Sequence, residues 1–394
     1  MDRRSIKSPT ISTNDNHLED RDCLVQSFVL SRNISSMSSK PKMRDVAAKC
    51  GVSVSTVSHV LNNTKLVATA TREKVQRVLQ EMNFHRDSHA RRLARGHSDF
   101  LGLIISNIEN PFYPGLIKAF EAGALEKGFE VLLCTTNYDP ARTDHAFRKM
   151  IENKSPGVAV MTSRVEPQMA RLLAGQGVAS VFLDSGGPGP LKSNIRLNYA
   201  KGAGEAVNYL HHLGHRRFAL IAGPQNRASH AAYRSAVEAA LAEYDLKPQV
   251  FEGNNEVAGG ENAVARLLTE KKIPTAILCS NDLTAMGAMR SLFKCGLSVP
   301  GEVSVIGADD IPFAALTHPP LTTVRMPREK LGSVALDILM KMLGQKRGPG
   351  TESVLDTELV IRESTSVAAT VQQRIGASAI TNARRRKSAG TKSG

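Results

Sequence analysis

Residues 43–63 read MRDVAAKCGVSVSTVSHVLNN, and the spacing of their apolar residues decides how the chain begins. Val46 and Ala47 share one face of a short helix that stops at Gly51, a residue suited to the left-handed turn after a helix end. Ser53 is placed to cap a second helix over 54–61, whose Val57, Val60 and Leu61 form an inward stripe at three- and four-residue spacing. A third series, Val75, Val78, Leu79 and Met82, supplies the helix against which the first two pack. Two helices joined by a turn of about three residues, with a supporting third, describe a helix-turn-helix.

The short side chains of the second helix have a physical use. A helix that enters a major groove roughly 12 Å wide approaches the base edges most closely when its first turns carry small residues. Val54, Ser55, Ser58, His59 and Asn62 lie on the outward face. Ser55 and His59, one turn apart, suit hydrogen bonds to base edges, and Val54 suits a thymine methyl. Thr56 and Ser58 suit phosphate oxygens, which position a protein without reading sequence.

The charge distribution agrees. The chain carries 51 basic and 37 acidic side chains, net +14. Residues 40–97 hold twelve basic and four acidic groups and residues 371–394 six and none, whereas residues 98–370 are balanced. A basic excess over a helix-turn-helix is the footprint of a nucleic-acid partner, and the Ser-, Gly- and Ala-rich tail reads as a solvated, disordered segment. Five scattered cysteines without C-x-x-C spacing oppose a disulfide framework and a zinc site, and fit a reducing cytoplasm. No apolar run reaches the length of a membrane span or has the form of a secretory signal.

The stretch MRDVAAKCGVSVSTVSHVLNNTKLVATATREKV resembles the DNA-binding domain of the LacI/GalR family of bacterial transcriptional repressors, nearly without gaps over about 30 residues. Cys50 stands in place of the usual alanine, and His59 where many members have arginine. NFHRDSHARRLARG is similar to the family's hinge segment. Phe84 replaces the usual tyrosine and Arg86 the usual proline, while Ala90, Arg91, Leu93 and Ala94 are kept. The resemblance implies that this segment becomes helical on operator DNA and that Leu93 wedges into the minor groove, where partial unstacking kinks the duplex. Met37 would begin a chain of the usual family shape.

From Phe100 the chain alternates apolar runs with amphipathic segments. The runs are 101–105, 129–134, 157–161, 179–183, 218–223, 276–280 and 303–308. Continuous apolar strands between helices imply parallel sheets covered on both faces, and this many over some 270 residues suit two Rossmann-like lobes. Ligands then bind beyond the C-terminal strand ends. Ser106, Asp184, Asn281, Asp282, Asp309 and Asp310 follow strands there, and convergent acceptors suit a neutral polyhydroxyl or nitrogen-rich ligand.

The resemblance extends over this body, to about residue 365, through NPFYPGLIKAFEAGALEKGFEVLLC, HLGHRRFALIAGP, AILCSNDLTAMGAM, GLSVPGEVSVIGADD and HPPLTTVRMPREKLG. It implies an effector domain similar to periplasmic sugar-binding proteins, with Ser106, Phe112, Asp184 and Asp282 on ligand positions. Tyr233 stands where the family has arginine, and Met326 where it has glutamine. Both changes remove donors and suit a ligand with an apolar or planar face.

The reading is therefore α/β: a small all-α helix-turn-helix headpiece followed by a two-lobed, Rossmann-like, periplasmic-binding-protein-like domain. The expected divisions are a disordered extension 1–39, the helix-turn-helix domain 40–85, a hinge 86–98, an effector-binding and dimerisation domain 99–366 and a disordered basic tail 367–394. The expected function is a cytoplasmic, nucleoid-associated repressor, dimeric on pseudo-palindromic double-stranded operator DNA, controlled by a small effector such as a sugar or related metabolite. No cofactor, metal or membrane is called for, and no coiled-coil tetramer, since no leucine heptad lies near the C-terminus. A solute-binding or small-molecule-sensing protein without operator binding is the alternative; it would not need the helix-turn-helix. An enzyme is opposed by the absence of G-x-G-x-x-G after the first strand, of a G-K-S/T phosphate loop, of G-x-S-x-G and of H-E-x-x-H.

Overall fold

Gly51 closes the first helix, α1 (Met43–Cys50), in the left-handed conformation, with φ 62°. This turns the chain so that Ser53 caps α2 (Val54–Asn62); the Thr56 N–H donates to Ser53 Oγ at 3.1 Å. The third helix, α3 (Thr69–Glu81), presents Val75 and Val78 to Val46, Ala47, Cys50, Val57 and Val60, and these seven side chains form a buried core of their own. Lys49 Nζ pairs with Glu81 at 2.9 Å and ties α1 to α3.

This headpiece belongs to the first of two compact units in the computed structural model, which describes residues 41–62, 66–84, 98–162, 167–270, 273–345 and 349–369. The extension 1–39, the hinge positions Ala90, Arg91 and Leu93, the Asn62 side chain and residues 370–394 lie outside what is described.

The second unit contains two sheets of six strands each. In the first lobe β1 (Phe100–Ile105), β2 (Glu130–Thr135), β3 (Gly157–Met161), β4 (Ala179–Leu183) and β5 (Lys192–Asn198) are joined by a late strand, β11 (Glu352–Asp356), in the order β11-β5-β4-β3-β1-β2. Every pairing is parallel. Helices α4 (Tyr113–Glu126), α5 (Pro140–Glu152), α6 (Pro167–Gly175) and α11 (Arg328–Gly344) cover it. The second lobe orders β12 (Glu358–Val360), β10 (Thr322–Arg325), β9 (Ser304–Asp309), β8 (Ala276–Cys279), β6 (Phe218–Ala222) and β7 (Gln249–Glu252), antiparallel only at β10–β12. Its helices are α7 (Tyr199–His212), α8 (Ala228–Ala242), α9 (Val257–Leu267) and α10 (Asp282–Lys294).

Burial explains why the apolar runs became strands: β3, β4, β6 and β8 are buried at every position, as strands covered on both faces must be. Side chains such as Phe120, Phe147, Phe182 and Phe218, at 2% exposure or less, each contribute about 1.5–3 kcal/mol through burial.

The chain passes between the lobes three times: at Asn198–Tyr199, at Met326–Pro327 and at Thr357. Two of these crossings are tied together. Thr357 Oγ1 donates to the Asn198 carbonyl at 2.8 Å and accepts from the Gly202 N–H at 3.0 Å. Asp356 accepts from Asn198 Nδ2 at 2.9 Å and from Lys201 Nζ at 3.0 Å. Beyond the last strand the chain remains attached as far as Ala368, whose N–H donates to the Leu213 carbonyl, so the packed body runs slightly past the expected boundary at 366.

Candidate functional site

Two surfaces carry chemistry, one in each unit. On α2 the inward positions Val57 and Val60 are buried. The opposite face leaves Val54 at 46% exposure, with Ser55 exposed and Thr56, Ser58 and His59 half-buried. Ser53 Oγ lies 2.8 Å from both Ser55 Oγ and Thr56 Oγ1, so the hydroxyls of the first turn hold one another and the cap in place. The result is a short helix whose leading residues project small polar and apolar groups from a rigid three-helix support.

The second surface is a cleft between the lobes, with a cavity of about 80 Å³. The first lobe supplies the start of α4 with Asn110, Phe112 and Tyr113, the loop residue Tyr138, and strand ends at Met161, Leu183 and Leu197. Opposite stand Ser229, His230 and Tyr233 from α8, with Asn255, Ser280, Asn281 and Asp309 from strand ends and loops of the second lobe. Tyr199 and Met326, at two of the crossings, close the ring. Among these, Tyr138, Asn255 and Asp309 have positive φ, at 58°, 69° and 106°. Such backbone costs about 1 kcal/mol or more at a non-glycine residue and concentrates where side chains must be aimed at a ligand.

The structure sorts the residues expected from the sequence. Phe112, Tyr233 and Met326 line the cleft. Ser106 does not: fully buried, its hydroxyl donates to Thr162 Oγ1 at 2.9 Å. Asp184 opens instead onto a larger groove of about 690 Å³ that shares Leu197 and Tyr199 with the cleft. It accepts from Tyr199 Oη at 2.7 Å and from the Leu197 N–H at 3.1 Å. Burial raises its carboxyl above the usual carboxylate range, opposed by these two bonds.

Asp282 is also absent from the cleft lining. Its side chain is fully buried beneath β9, where Gly307 leaves room for its Oδ1, and it accepts from Thr323 Oγ1 and from the Ile311 N–H. Burial pushes its pKa up to about 7 against the pull of those bonds. It clips α10 to β10 and to the loop after β9, and it is not among the residues that line the cleft. The reason is register: Asn281 is the extended N-cap of α10, its side chain accepting from the Thr284 N–H. The next residue turns inward.

Several cleft residues give no signal in the sequence. Tyr138, Tyr199, His230 and Asn255 sit on loops and first helical turns, outside any apolar period. His230 is held near pKa 4 by burial and by Arg227, and its Nε2 lies 2.6 Å from Asn255 Nδ2. The Arg227 guanidinium stacks 3.3 Å from the Tyr138 ring centroid, a cation–π contact joining the two lobes. Asp310, beside the cleft, is taken up by Arg325 and Arg362 at 2.7 and 2.6 Å. Burial alone would raise its carboxyl; those guanidinium bonds outweigh it and hold the carboxyl below its ordinary value.

Comparison with known proteins matches residues 42–87 to the bacterial regulatory proteins of the lacI family and residues 207–365 to a periplasmic binding protein-like domain. The HTH-type transcriptional repressor PurR of Haemophilus influenzae (strain PittEE) is 32% identical over 328 residues, 82% of this chain and 98% of that protein. The chain belongs to the LacI family. The ribose operon repressor of Escherichia coli (strain K12) is 32% identical over 307 residues, covering 77% of this chain and 93% of that protein. Among solved structures, the lac repressor dimer bound to operator and the anti-inducer ONPF superposes with a TM-score of 0.76 at 27% identity, over 83% of this chain and all of that one. The CelR–cellobiose complex does so with a TM-score of 0.63 at 27% identity, over 82% and 99%. This LacI-family chain is thus an effector-controlled DNA-binding transcriptional repressor, not an enzyme. Among its described residues no helix is long and apolar enough to cross a membrane, and no His, Cys, Asp and Glu cluster is arranged to hold a metal.

Proposed function

We propose that the chain acts as a dimer on a pseudo-palindromic operator in the bacterial cytoplasm, at the nucleoid, with α2 of each protomer in a major groove. Val54, Ser55 and His59 meet base edges, Thr56 and Ser58 meet phosphates, and Asn62 follows at the helix end. The segment 86–98 brings Ala90, Arg91 and Leu93 to the minor groove between the half-sites. One observation carries this reading: the face of α2 opposite its buried valines is open at Val54 and Ser55, on a headpiece whose core is complete without it.

The inter-lobe cleft holds the effector, with Phe112, Tyr233 and Met326 in contact with it. Ser106 supports Thr162, and Asp184 holds Tyr199. Effector binding alters the angle between the lobes and so the spacing of the two hinge segments. A hundredfold preference of the ligand for one lobe arrangement amounts to about 2.7 kcal/mol of coupling. Selection of bound DNA from a random duplex library, at near-physiological salt because phosphate contacts are salt-dependent, tests the DNA half of the reading. A two-fold symmetric site of roughly 14 to 20 base pairs is expected; failure to enrich any sequence would refute it.

A further inference from the structure

The cleft is rich in aromatic rings and poor in positive charge. Among the described residues that line it there is no lysine or arginine. Arg227, at its edge, is stacked on Tyr138, and Arg328, outside the lining, donates to the Pro111 carbonyl and lies 4.0 Å from Glu329, its Nε buried without a partner among the described residues. His230 is neutral at pH 7. Asp309, by contrast, reaches the cleft, and among the described residues no hydrogen-bond donor meets its carboxylate. Burial first, and then the neighbouring Asp282 carboxylate, push its pKa well above the usual range; Arg328 counteracts this only in part.

Four helices, α4, α7, α8 and α10, begin around the cleft, and each N-terminus offers about half a positive charge. The starts of α7 and α10 are already occupied by the side chains of Asn198 and Asn281. Of the nearby carboxyls only Asp309 lines the cleft, since Asp282 is buried beneath β9 and Asp184 opens onto the larger groove, and it is the group beside which a cation would sit. The walls suit one. Tyr199 and Tyr233 meet edge to face at 6.4 Å, Phe112 and Tyr113 at 5.2 Å, and Tyr138 stands at the mouth. The Tyr233 hydroxyl is buried with no partner among the described residues.

We infer that the cleft is an aromatic cage for an organic cation, an ammonium group on an apolar or ring-shaped body, with Asp309 as its counter-charge and Phe112, Tyr138, Tyr199 and Tyr233 as its walls. A ligand cation over aromatic faces is strongly favoured once desolvated, and an unpaired carboxylate beside them fixes its position. The inference rests on the cleft being the effector site and specifies the ligand class. An ammonium group beside Asp309 would offset the burial that favours its protonated form, which a carboxylate, a phosphate or a neutral polyol would not.

The test is calorimetric titration of the full-length protein with choline, with its neutral isostere 3,3-dimethylbutan-1-ol and with the anion 3,3-dimethylbutanoate, beside a set of neutral sugars including D-ribose. Choline is expected to bind at least about tenfold more tightly than the neutral isostere, and the anion not at all. Asp309→Asn should bring the choline-to-isostere ratio close to one. Tyr138→Leu, at a half-buried loop position that folding tolerates more readily, should weaken choline several-fold and leave the isostere unchanged. Equal binding of choline and its isostere, or tightest binding of the anion, overturns the inference. Neutral sugars that bind and shift operator affinity while choline shows no preference would overturn it and leave the effector reading intact. Binding by none of the compounds would remove both.

Discussion

Replacing Asp282 by asparagine distinguishes a structural carboxylate from a ligand contact, because the two roles predict different pH behaviour. The folded protein holds this carboxyl at about pKa 7, against about 3.9 for an aspartate in an unfolded chain. Between those values the folded state binds the extra proton, so stability falls as pH rises through the window from about 4 to 7. Each pH unit inside it costs about 1.4 kcal/mol. From pH 5 to pH 8 the wild type should lose about 2 to 3 kcal/mol through this group, a loss that the Asp282→Asn variant does not share.

At pH 5 the two proteins start level. The amide oxygen accepts from the Ile311 N–H and the NH2 group donates to Thr323 Oγ1, a hydroxyl that accepts as well as donates, just as the protonated wild-type carboxyl does at that pH. Asp282→Asn is therefore about as stable as wild type at pH 5 and more stable, by about 2 to 3 kcal/mol, at pH 8. Urea unfolding followed by circular dichroism at fixed protein concentration measures both differences. Asp184 titrates in both proteins and cancels in the comparison, whereas Asp309 loses the push of the Asp282 carboxylate in the variant and titrates lower there. Parallel pH profiles for the two proteins would refute the buried, proton-binding role assigned to Asp282.

Other perturbations test other parts of the molecule. His59→Ala should cost about 1–3 kcal/mol on the selected operator and relax preference at one base pair per half-site; an equal loss on random duplex in an anisotropy titration would deny His59 a reading role. Leu93→Ala should reduce operator bending, measured by energy transfer between end-labelled duplexes, as well as affinity, and unchanged bending would exclude it as the wedge. Gly287→Ala would place a Cβ 1.9 Å from the Val257 carbonyl oxygen, forcing α9 and α10 apart. A loss of at least about 1–3 kcal/mol is expected, and a variant as stable as wild type in thermal unfolding would contradict the close helix contact.

Much of the fold was legible because its central strands are continuous apolar runs. The seven runs read from the sequence correspond to β1, β2, β3, β4, β6, β8 and β9 within a residue or so. The strands that escaped have physical reasons to do so. In β5, KSNIRLN, the buried positions include Ser193 and Asn194, which satisfy themselves on Thr351, Ser185 and Glu352 rather than by being apolar. β7, β10 and β12 have four residues or fewer, too short for a period to show. β11 joins the first sheet only after the chain has built the second, a pairing that no local pattern encodes.

The headpiece was read more closely than the cleft, since capping and three- and four-residue spacing fix which face of a short helix looks outward. In the cleft a strand end marks the right neighbourhood but not which of two adjacent residues faces the ligand. Asn281 and Asp282 differ by one position and point to opposite sides of that question. The tyrosines at 138 and 199 enter only through the left-handed backbone at one and the lobe crossing at the other, and neither is visible before folding.

If the relative position of the lobes governs DNA binding, the coupling is measurable without knowing the effector. Tyr138 and Arg227 meet across the cleft. With both changed to cysteine, and the exposed Cys295 changed to serine, a short cleavable bis-maleimide would pin the lobes together. Operator affinity is then measured by anisotropy before and after cleavage of the linker. A change of at least about tenfold, equivalent to about 1.4 kcal/mol of coupling, is the expected result. Identical affinities for the pinned and released protein would contradict the account.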